Sequence, residues 1–409
     1  MSSIEDHRTG APAADGTAGR SGRRLVGVDA ARGLALVGLI AVHILPAWDP
    51  ADDGATLQWT LFSGQSAALF ALLAGVGLAF TTGGRTPHRG RRLAADRAGI
   101  VVRALLVAVT GLLINGLMPE DPPAYGILLY YGMFFLLALP FLHLGARALL
   151  GWAAGTAVAG PVALHVLGPL LPAPDTVSPT LVDVLTAPGT VLAQVLLTGT
   201  YPALVYLAYL LAGLGLGRLN LSALRVQTGM LLGGAALAVT AWCTYWVAVI
   251  AGGGYDRILA ATPWLDAWQL DEIIVWGPGD TLPTTTWWWL LIPGPHANTP
   301  VSVLQDLGIA VAALGGMLLV ARRAGAWLAP LAAMGAMTLT LYSAHLLALI
   351  PELHVDRPEA WFTAHVVLAA LFALAWGNAF GRGPLERVVA RGAGAARGAW
   401  LRRGTGAAG

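Results

Sequence analysis

The 409-residue chain contains no lysine: all 24 of its basic side chains are arginine, which reads as a coding bias rather than a function. A single cysteine, Cys243, leaves no intrachain disulfide to brace the fold. Charge is scarce as well. Only 11% of the residues are charged, against roughly a quarter in soluble domains. That shortage excludes an ordinary soluble enzyme, and 56% hydrophobic residues with a mean hydropathy of +0.67 exclude a disordered chain. No Walker or dinucleotide glycine motif is present, nor a Gly-x-Ser-x-Gly elbow, nor Cys and His at metal-ligand spacing, so no metal is expected. Nothing in the nearly neutral net charge of +2 points to a nucleic acid. Carboxylates are almost missing from the apolar runs, which argues against a proton-coupled pump.

What the chain does have is long uncharged runs separated by short charged loops. They cover 26–46, 59–82, 99–118, 124–144, 148–168, 187–217, 228–251, 302–321, 327–350 and 361–380. Each is long enough to cross the hydrocarbon core of a bilayer as a helix. The expected fold is therefore all-α: a polytopic integral membrane helical bundle of about ten transmembrane helices, with the lipid bilayer as its surroundings. The sixth run is long enough for one tilted helix or for a span preceded by a re-entrant piece, and Pro202 is placed to kink it. Residues 1–22 read as a flexible tail, 23–381 as the bundle and 382–409 as a basic tail.

Arginine placement orients these spans. With a cytoplasmic N-terminus, 20 of the 24 arginines fall on inner segments and only Arg257 and Arg357 on outer ones. Both termini are then cytoplasmic. The outer loop 252–300 carries six of the 15 tryptophans and five carboxylates. It reads either as an interfacial aromatic belt or as a platform for stacking a sugar or lipid headgroup.

Polar residues within spans need a partner or a task, because each costs a few kcal/mol to bury in lipid. In the first span Asp29 and Arg32 are three apart and share a helix face. His43 falls over Arg32 three turns later, roughly 16 Å along the axis. Gln65 in the second span needs a hydrogen-bond partner. Thr338, Tyr342 and His345 line one face of the ninth span. Arg103 either snorkels as an anchor or meets a phosphate. The loop 83–98, with Arg91 and Arg92 among five arginines, suits topology alone or a phosphorylated ligand.

The segment "RLVGVDAARGLALVGLIAVH" resembles the first-span signature Arg-x-x-x-x-Asp-x-x-Arg-Gly of the transmembrane acyltransferase superfamily. Within it the chain is similar to bacterial proteins with a heparan-alpha-glucosaminide N-acetyltransferase-like domain and their YeiB-like relatives. "ALFALLAGVGLAF", "ILLYYGMFFLLALPFL", "GTYPALVYLAYLLAGLGLGRL", "PHANTPVSVLQDLGIAVAALG", "MTLTLYSAHLLAL" and "GRGPLERVV" follow the same pattern in order. The resemblance implies a bacterial cytoplasmic (inner) membrane enzyme that moves an acyl group, as acetyl, from cytosolic acetyl-CoA or another acyl-CoA. The acceptor would be a hydroxyl or amine at the outer face, on an envelope glycan or lipid-linked molecule.

In that scheme His43 is the general base or the acyl carrier, and Asp29 with Arg32 orders the inner end of its helix. Arg91, Arg92 and Arg103 hold the CoA, while Gln65, Tyr342 and His345 line the acceptor site. The heparan-type enzymes place a His shortly before a Trp in the first outer loop, and "PAWDPADDGATLQW" has none. His43 or His296 would have to take its place. A permease or flippase for an amphipathic molecule is the rival reading, and a non-catalytic scaffold a second. A homo-oligomer stays open.

Overall fold

The computed structural model describes residues 25–279 and 281–402. The tail expected over 1–22 and the last seven residues lie outside them. In chain order the helices are α1 (Val26–Ile44), α2 (Leu57–Phe62), α3 (Gln65–Thr81), α4 (Gly90–Asn115), α5 (Leu128–Ala138), α6 (Ala146–Leu167), α7 (Leu181–Thr186), α8 (Pro188–Ala193) and α9 (Ala203–Gly217). They continue with α10 (Leu224–Tyr245), α11 (Gly254–Ala261), α12 (Ala267–Trp276), α13 (Pro300–Ala324), α14 (Ala329–Gly335), α15 (Thr338–Leu349), α16 (Pro358–Phe380) and α17 (Pro384–Arg402). The only strands among the described residues form a two-residue hairpin, Trp48–Asp49 against Gly54–Ala55, in the loop after α1. The architecture is an all-α membrane bundle.

Every apolar run read from the sequence is helical, but the runs are not ten equal rods. Seven helices are long and apolar enough to cross a bilayer. Two further spans are broken pairs, Pro188–Thr198 with Ala203–Gly217 bent by 51°, and Ala329–Gly335 with Thr338–Leu349 bent by 83°. The remaining one, Leu128–Phe141, is too short to span unaided; 14 residues rise only about 21 Å. Pro202 does sit at the first break, where it caps α9 with φ −57°. Lacking an N–H, it cannot carry the preceding helix through.

Burial separates inner from lipid-facing helices. In α1 72% of the apolar window is enclosed by other helices, and in α16 only 6%. Small residues permit this enclosure, as they do in membrane helix packing generally. A Cβ on Gly335 of α14 would collide with the Asp29 carbonyl oxygen of α1, and one on Gly33 with the Leu331 carbonyl oxygen. The two backbones are therefore in contact with nothing between them. The same device joins α10 to α13, where Gly234 faces Ala312 and Gly308 faces Ala238.

The bundle has an arginine-rich end and a tryptophan-rich end. At the first, Arg218 is buried and donates to the carbonyl oxygens of Ala79, Thr82, Gly84 and Leu142 and to the Thr82 hydroxyl, at 2.7 to 3.2 Å. It thereby satisfies the exposed carbonyls where α3 ends. The segment expected as a loop over 83–98 is helical from Gly90 onward. The segment read as a tail beyond 382 is helical over Pro384–Arg402, and this helix lies along α4. Arg397 Nε pairs with the buried Asp96 carboxylate at 2.9 Å, His88 Nδ1 reaches the same carboxylate at 2.6 Å, and Arg91 donates to the Leu401 carbonyl.

At the opposite end α11, α12 and the turn Trp287–Leu291 pack around Trp289, which is fully buried among Ile258, Leu270, Ile292 and Val301. Its Nε1 donates to the hydroxyls of Thr262 and Thr285 at 3.3 and 3.2 Å. One loop tryptophan is thus a core residue, whereas Trp264, Trp268 and Trp287 stay exposed.

Gly335→Ala is expected to destabilise the protein by about 1–3 kcal/mol, the cost of forcing packed backbones apart. Gly229→Ala, on an open face of α10 with nothing near its Cα, should be neutral or gain up to about 1 kcal/mol of helix propensity. Thermal midpoints of the two variants in one detergent check the contrast.

Candidate active site

The polar face of α1 organises the centre of the bundle. Arg32 Nη1 donates to Asp29 Oδ1 at 3.2 Å, so the three-residue spacing does form an ion pair. Its Nη2 crosses to α3 and donates to the Leu73 carbonyl at 3.2 Å. The crossing needs Gly77, because a Cβ there would come within 2.9 Å of Nη2. Beyond Arg32 opens a cavity of about 270 Å³. Arg32, Arg103, Tyr131 and Glu386 line it together with Leu39 of α1 and Thr338 and Tyr342 of α15. Two of the three residues expected on one face of the ninth span thus share one wall, and Arg103 faces inward rather than snorkelling.

One turn past Leu39, at the end of α1, stands His43. Its Nδ1 lies 3.1 Å from His345 Nε2, with the two rings nearly parallel at 3°. His345 follows Tyr342 by three residues on α15, so the wall that lines the cavity also delivers the second imidazole. The far nitrogen of His345, Nδ1, is buried without a hydrogen-bond partner among the described residues. His365 of α16 meets His345 edge-on at 5.3 Å between centroids and is itself held by the Trp361 carbonyl at 3.0 Å. Among the described residues no three His, Cys, Asp or Glu side chains converge as metal ligands.

His296 lies close enough to His43 to interact with it electrostatically, but it belongs to a second group on the tryptophan-rich side. It sits in the loop before α13 with φ 53° and presents its ring edge-on to Tyr201 at 5.3 Å. Burial pushes its imidazole down to about 4. Beside it the second span is broken, which the sequence reading missed. Gly64, at φ +80°, separates α2 from α3, and no side chain caps the first turn of α3. A Cβ on Gly64 would sit 3.5 Å from Asp306 Oδ2 and 3.7 Å from the His296 amide nitrogen. Asp306 also faces the Tyr209 hydroxyl. Around this turn Ser63 Oγ, Gln65 Oε1, Ser66 Oγ and Gln305 Oε1 are all buried without hydrogen-bond partners among the described residues.

So many unmatched polar atoms in the interior of a membrane protein mark a place where a polar ligand would be satisfied. Asp306 is the single carboxylate of the run 302–321 and was passed over in the sequence. It lies two turns inside α13, and the neighbouring Gln305 was the signal available in the sequence.

The expected site residues therefore divide. Arg32, Arg103 and Tyr342 line one cavity, and His43 and His345 form a pair above it. Gln65 and His296 belong to the group at the Gly64 turn. Arg91 and Arg92 are exposed on the first turn of α4, about 18 Å along the helix from Arg103, and do not enter the cavity.

A family model described as heparan-alpha-glucosaminide N-acetyltransferase, catalytic, matches residues 24–246. The chain belongs to that family. It is accordingly a member of a family of membrane acetyltransferases. No curated protein matches the chain. The matched region runs from α1 to the end of α10 and contains Asp29, Arg32, His43, Gln65 and Arg103. His296, Asp306, Tyr342 and His345 lie beyond it, so the two imidazoles of the pair come from opposite sides of the boundary.

Between pH 6.5 and about 4 the unfolded chain binds a proton at residue 296 that the folded, buried imidazole refuses. Stability is expected to fall as pH drops through that window, by up to about 3 kcal/mol from this residue. Thermal midpoints measured across the window should fall less steeply in His296→Asn than in the parent protein.

Proposed function

We propose that the protein transfers an acetyl group from acetyl-CoA, entering at the arginine-rich end, to an acceptor amine or hydroxyl admitted from the tryptophan-rich end. The observation that carries the reading is the His43–His345 pair at the head of a cavity lined by two arginines, in a member of this family. Arg32 and Arg103 suit phosphate or the polar pantetheine arm of the donor, because a guanidinium offers several donors to an anion in a site of low dielectric. Exposed Arg91 and Arg92 suit the nucleotide end, where their effect is screened by salt.

For His43 to act as a base, its Nδ1–H donates to His345 Nε2, and its Nε2 then keeps a lone pair for the acceptor proton. The acceptor nitrogen or oxygen attacks the thioester carbonyl. His43 takes the proton released as the new amide or ester forms, and the carbon–sulfur bond breaks. The proton then passes to the departing thiolate. His345 holds the tautomer and orientation of His43, much as an orienting group does for any catalytic imidazole. The unpartnered atoms at the Gly64 turn, with Asp306 and His296, favour a polyhydroxyl or amino acceptor such as an envelope glycan or lipid-linked sugar.

The rival permease reading calls for breaks at corresponding places in two repeated halves. The breaks fall in the second span at Gly64 and in the sixth and ninth spans; in two halves of five spans these are positions two, one and four, so they do not correspond. The orientation proposed is with both termini cytoplasmic, in the bacterial inner membrane, supported by the 20 to two arginine imbalance.

His43→Ala should lower acetyl transfer by roughly 10²- to 10⁴-fold, the usual share of a general base, while acetyl-CoA binding persists. Retained turnover in His43→Ala with loss in His296→Ala would move the base to the loop. Arg103→Gln should weaken acetyl-CoA at all ionic strengths, whereas replacing Arg91 and Arg92 should weaken it mainly at low salt. Engineered cysteines in 252–279 should be labelled from outside the cell and those in 83–89 only after permeabilisation. The reverse pattern would invert the topology.

A further inference from the structure

The first turn of α15 has no cap of its own. Met337 precedes it with φ −138° and offers no side-chain oxygen. The oxygens come from another helix. Glu386, in the first turn of α17, accepts the Thr340 N–H through Oε1 at 3.1 Å and the Thr340 hydroxyl through Oε2 at 2.6 Å. The Thr340 hydroxyl oxygen in turn accepts the Leu385 N–H at 3.1 Å. The turn before α17 is closed up for this purpose, since a Cβ on Gly383 would strike the Glu386 carboxylate and the Met337 side chain. A carboxylate at this position satisfies an orphan N–H and meets the positive end of the helix dipole at once.

α15 needs such a hold. It is the second half of a span bent by 83°, so no continuous helix aligns it with α14. Two and five residues beyond Thr340 it carries Tyr342 and His345. Meanwhile α17 is itself fastened to α4 by Arg397–Asp96 and Arg91–Leu401. We propose that Glu386 is a positioning residue: by capping α15 from α17 it holds Tyr342 in the cavity wall and His345 against His43. The docking of α17 at the arginine-rich end thereby sets the geometry of the histidine pair. The activity arm of the test below rests on the acetyl-transfer reading; the exchange arm does not.

The full-length protein in detergent is compared with Glu386→Ala, Glu386→Gln, Thr340→Val and the Glu386→Ala/Thr340→Val double variant. Backbone hydrogen exchange is followed over 338–346, and kcat and KM are measured for acetyl-CoA with glucosamine as the acceptor. Glu386→Ala should exchange about tenfold faster over 338–342, the factor given by loss of an ordinary helix cap. Its kcat should fall about tenfold or more while KM for acetyl-CoA moves less than about threefold. Glu386→Gln keeps an oxygen for the Thr340 N–H and should recover most of both changes. The double variant should lose less than the sum of the two single variants, because the contact between the Thr340 hydroxyl and Glu386 is removed by both changes.

Unchanged exchange in Glu386→Ala overturns the proposal. So does a kcat loss that Glu386→Gln fails to recover, or a loss confined to KM, which would make Glu386 part of donor binding. If Glu386→Ala does not fold, Thr340→Val, which keeps the side-chain shape, decides by the same directions at smaller size. A parent protein without thioester turnover would remove the acetyl-transfer reading and leave the exchange result to decide the cap.

Discussion

A guanidinium carried into an apolar bundle has to be met by oxygen, and the surroundings of Arg32 are arranged to meet it. Asp29 answers from its own helix and the Leu73 carbonyl from α3. Gly77 clears the path between them. The demand fixes how α1 and α3 are rotated against each other. That rotation in turn decides which face of α1 is left for the cavity, and therefore where Leu39 and His43 point. The glycine contacts that bring α14 onto α1 act at the same level. They press the backbone carrying Asp29 against a short helix whose continuation, after a sharp bend, carries His345. Polar satisfaction on one side and close packing on the other hold a single helix in register with α3 and α14.

The family match and the geometry address different questions. The match covers the helices that carry Arg32, Arg103 and His43, and it establishes a membrane acetyltransferase family. The partner of His43 and part of the cavity wall come from the unmatched half. His345 completes the imidazole pair, Tyr342 and Glu386 close the cavity, and Asp306 with His296 borders the group of unpartnered polar atoms. A reading confined to the matched half would see Arg32 met by Asp29 and Leu73 but His43 without its imidazole partner.

Helical periodicity is local, and what depends on it alone was legible in the sequence. The apolar runs, the Asp29–Arg32 pair and the shared face of Thr338, Tyr342 and His345 all follow from spacing within one helix. The pairing of His43 with His345 does not, because it depends on how α1 and α15 are set against each other across 302 positions and an 83° bend. The break at Gly64 was hidden for a related reason. Ser63, Gly64 and Gln65 are tolerated in membrane helices as packing residues, and only the positive φ distinguishes a break from a crossing. Arg218 illustrates the limit of counting charges. As one more inner arginine it reads as a topology marker, yet it is the buried clamp on three carbonyl oxygens where α3 ends and on that of Leu142 beyond α5. The first turn of α4 was misjudged because five arginines in sixteen residues outweigh the apolar signal that begins at residue 99.

The separation of His43 and His345 along the chain bears on how the protein is made. Synthesis delivers α1 to the membrane first, carrying Arg32, a residue that insertion scales penalise by roughly 3 kcal/mol at a helix centre. The Leu73 carbonyl arrives with the next span, so the guanidinium waits only briefly for its acceptor. The imidazole of His43 waits for seven further spans before α15 brings its partner. Throughout that interval the helix must be retained by its apolar residues and its contact with α3, because its glycine partners on α14 arrive only with the ninth span itself. The geometry of the histidine pair is consequently a product of the last steps of insertion, and a ribosome stalled before the ninth span would leave a first helix already seated and the pair not yet assembled.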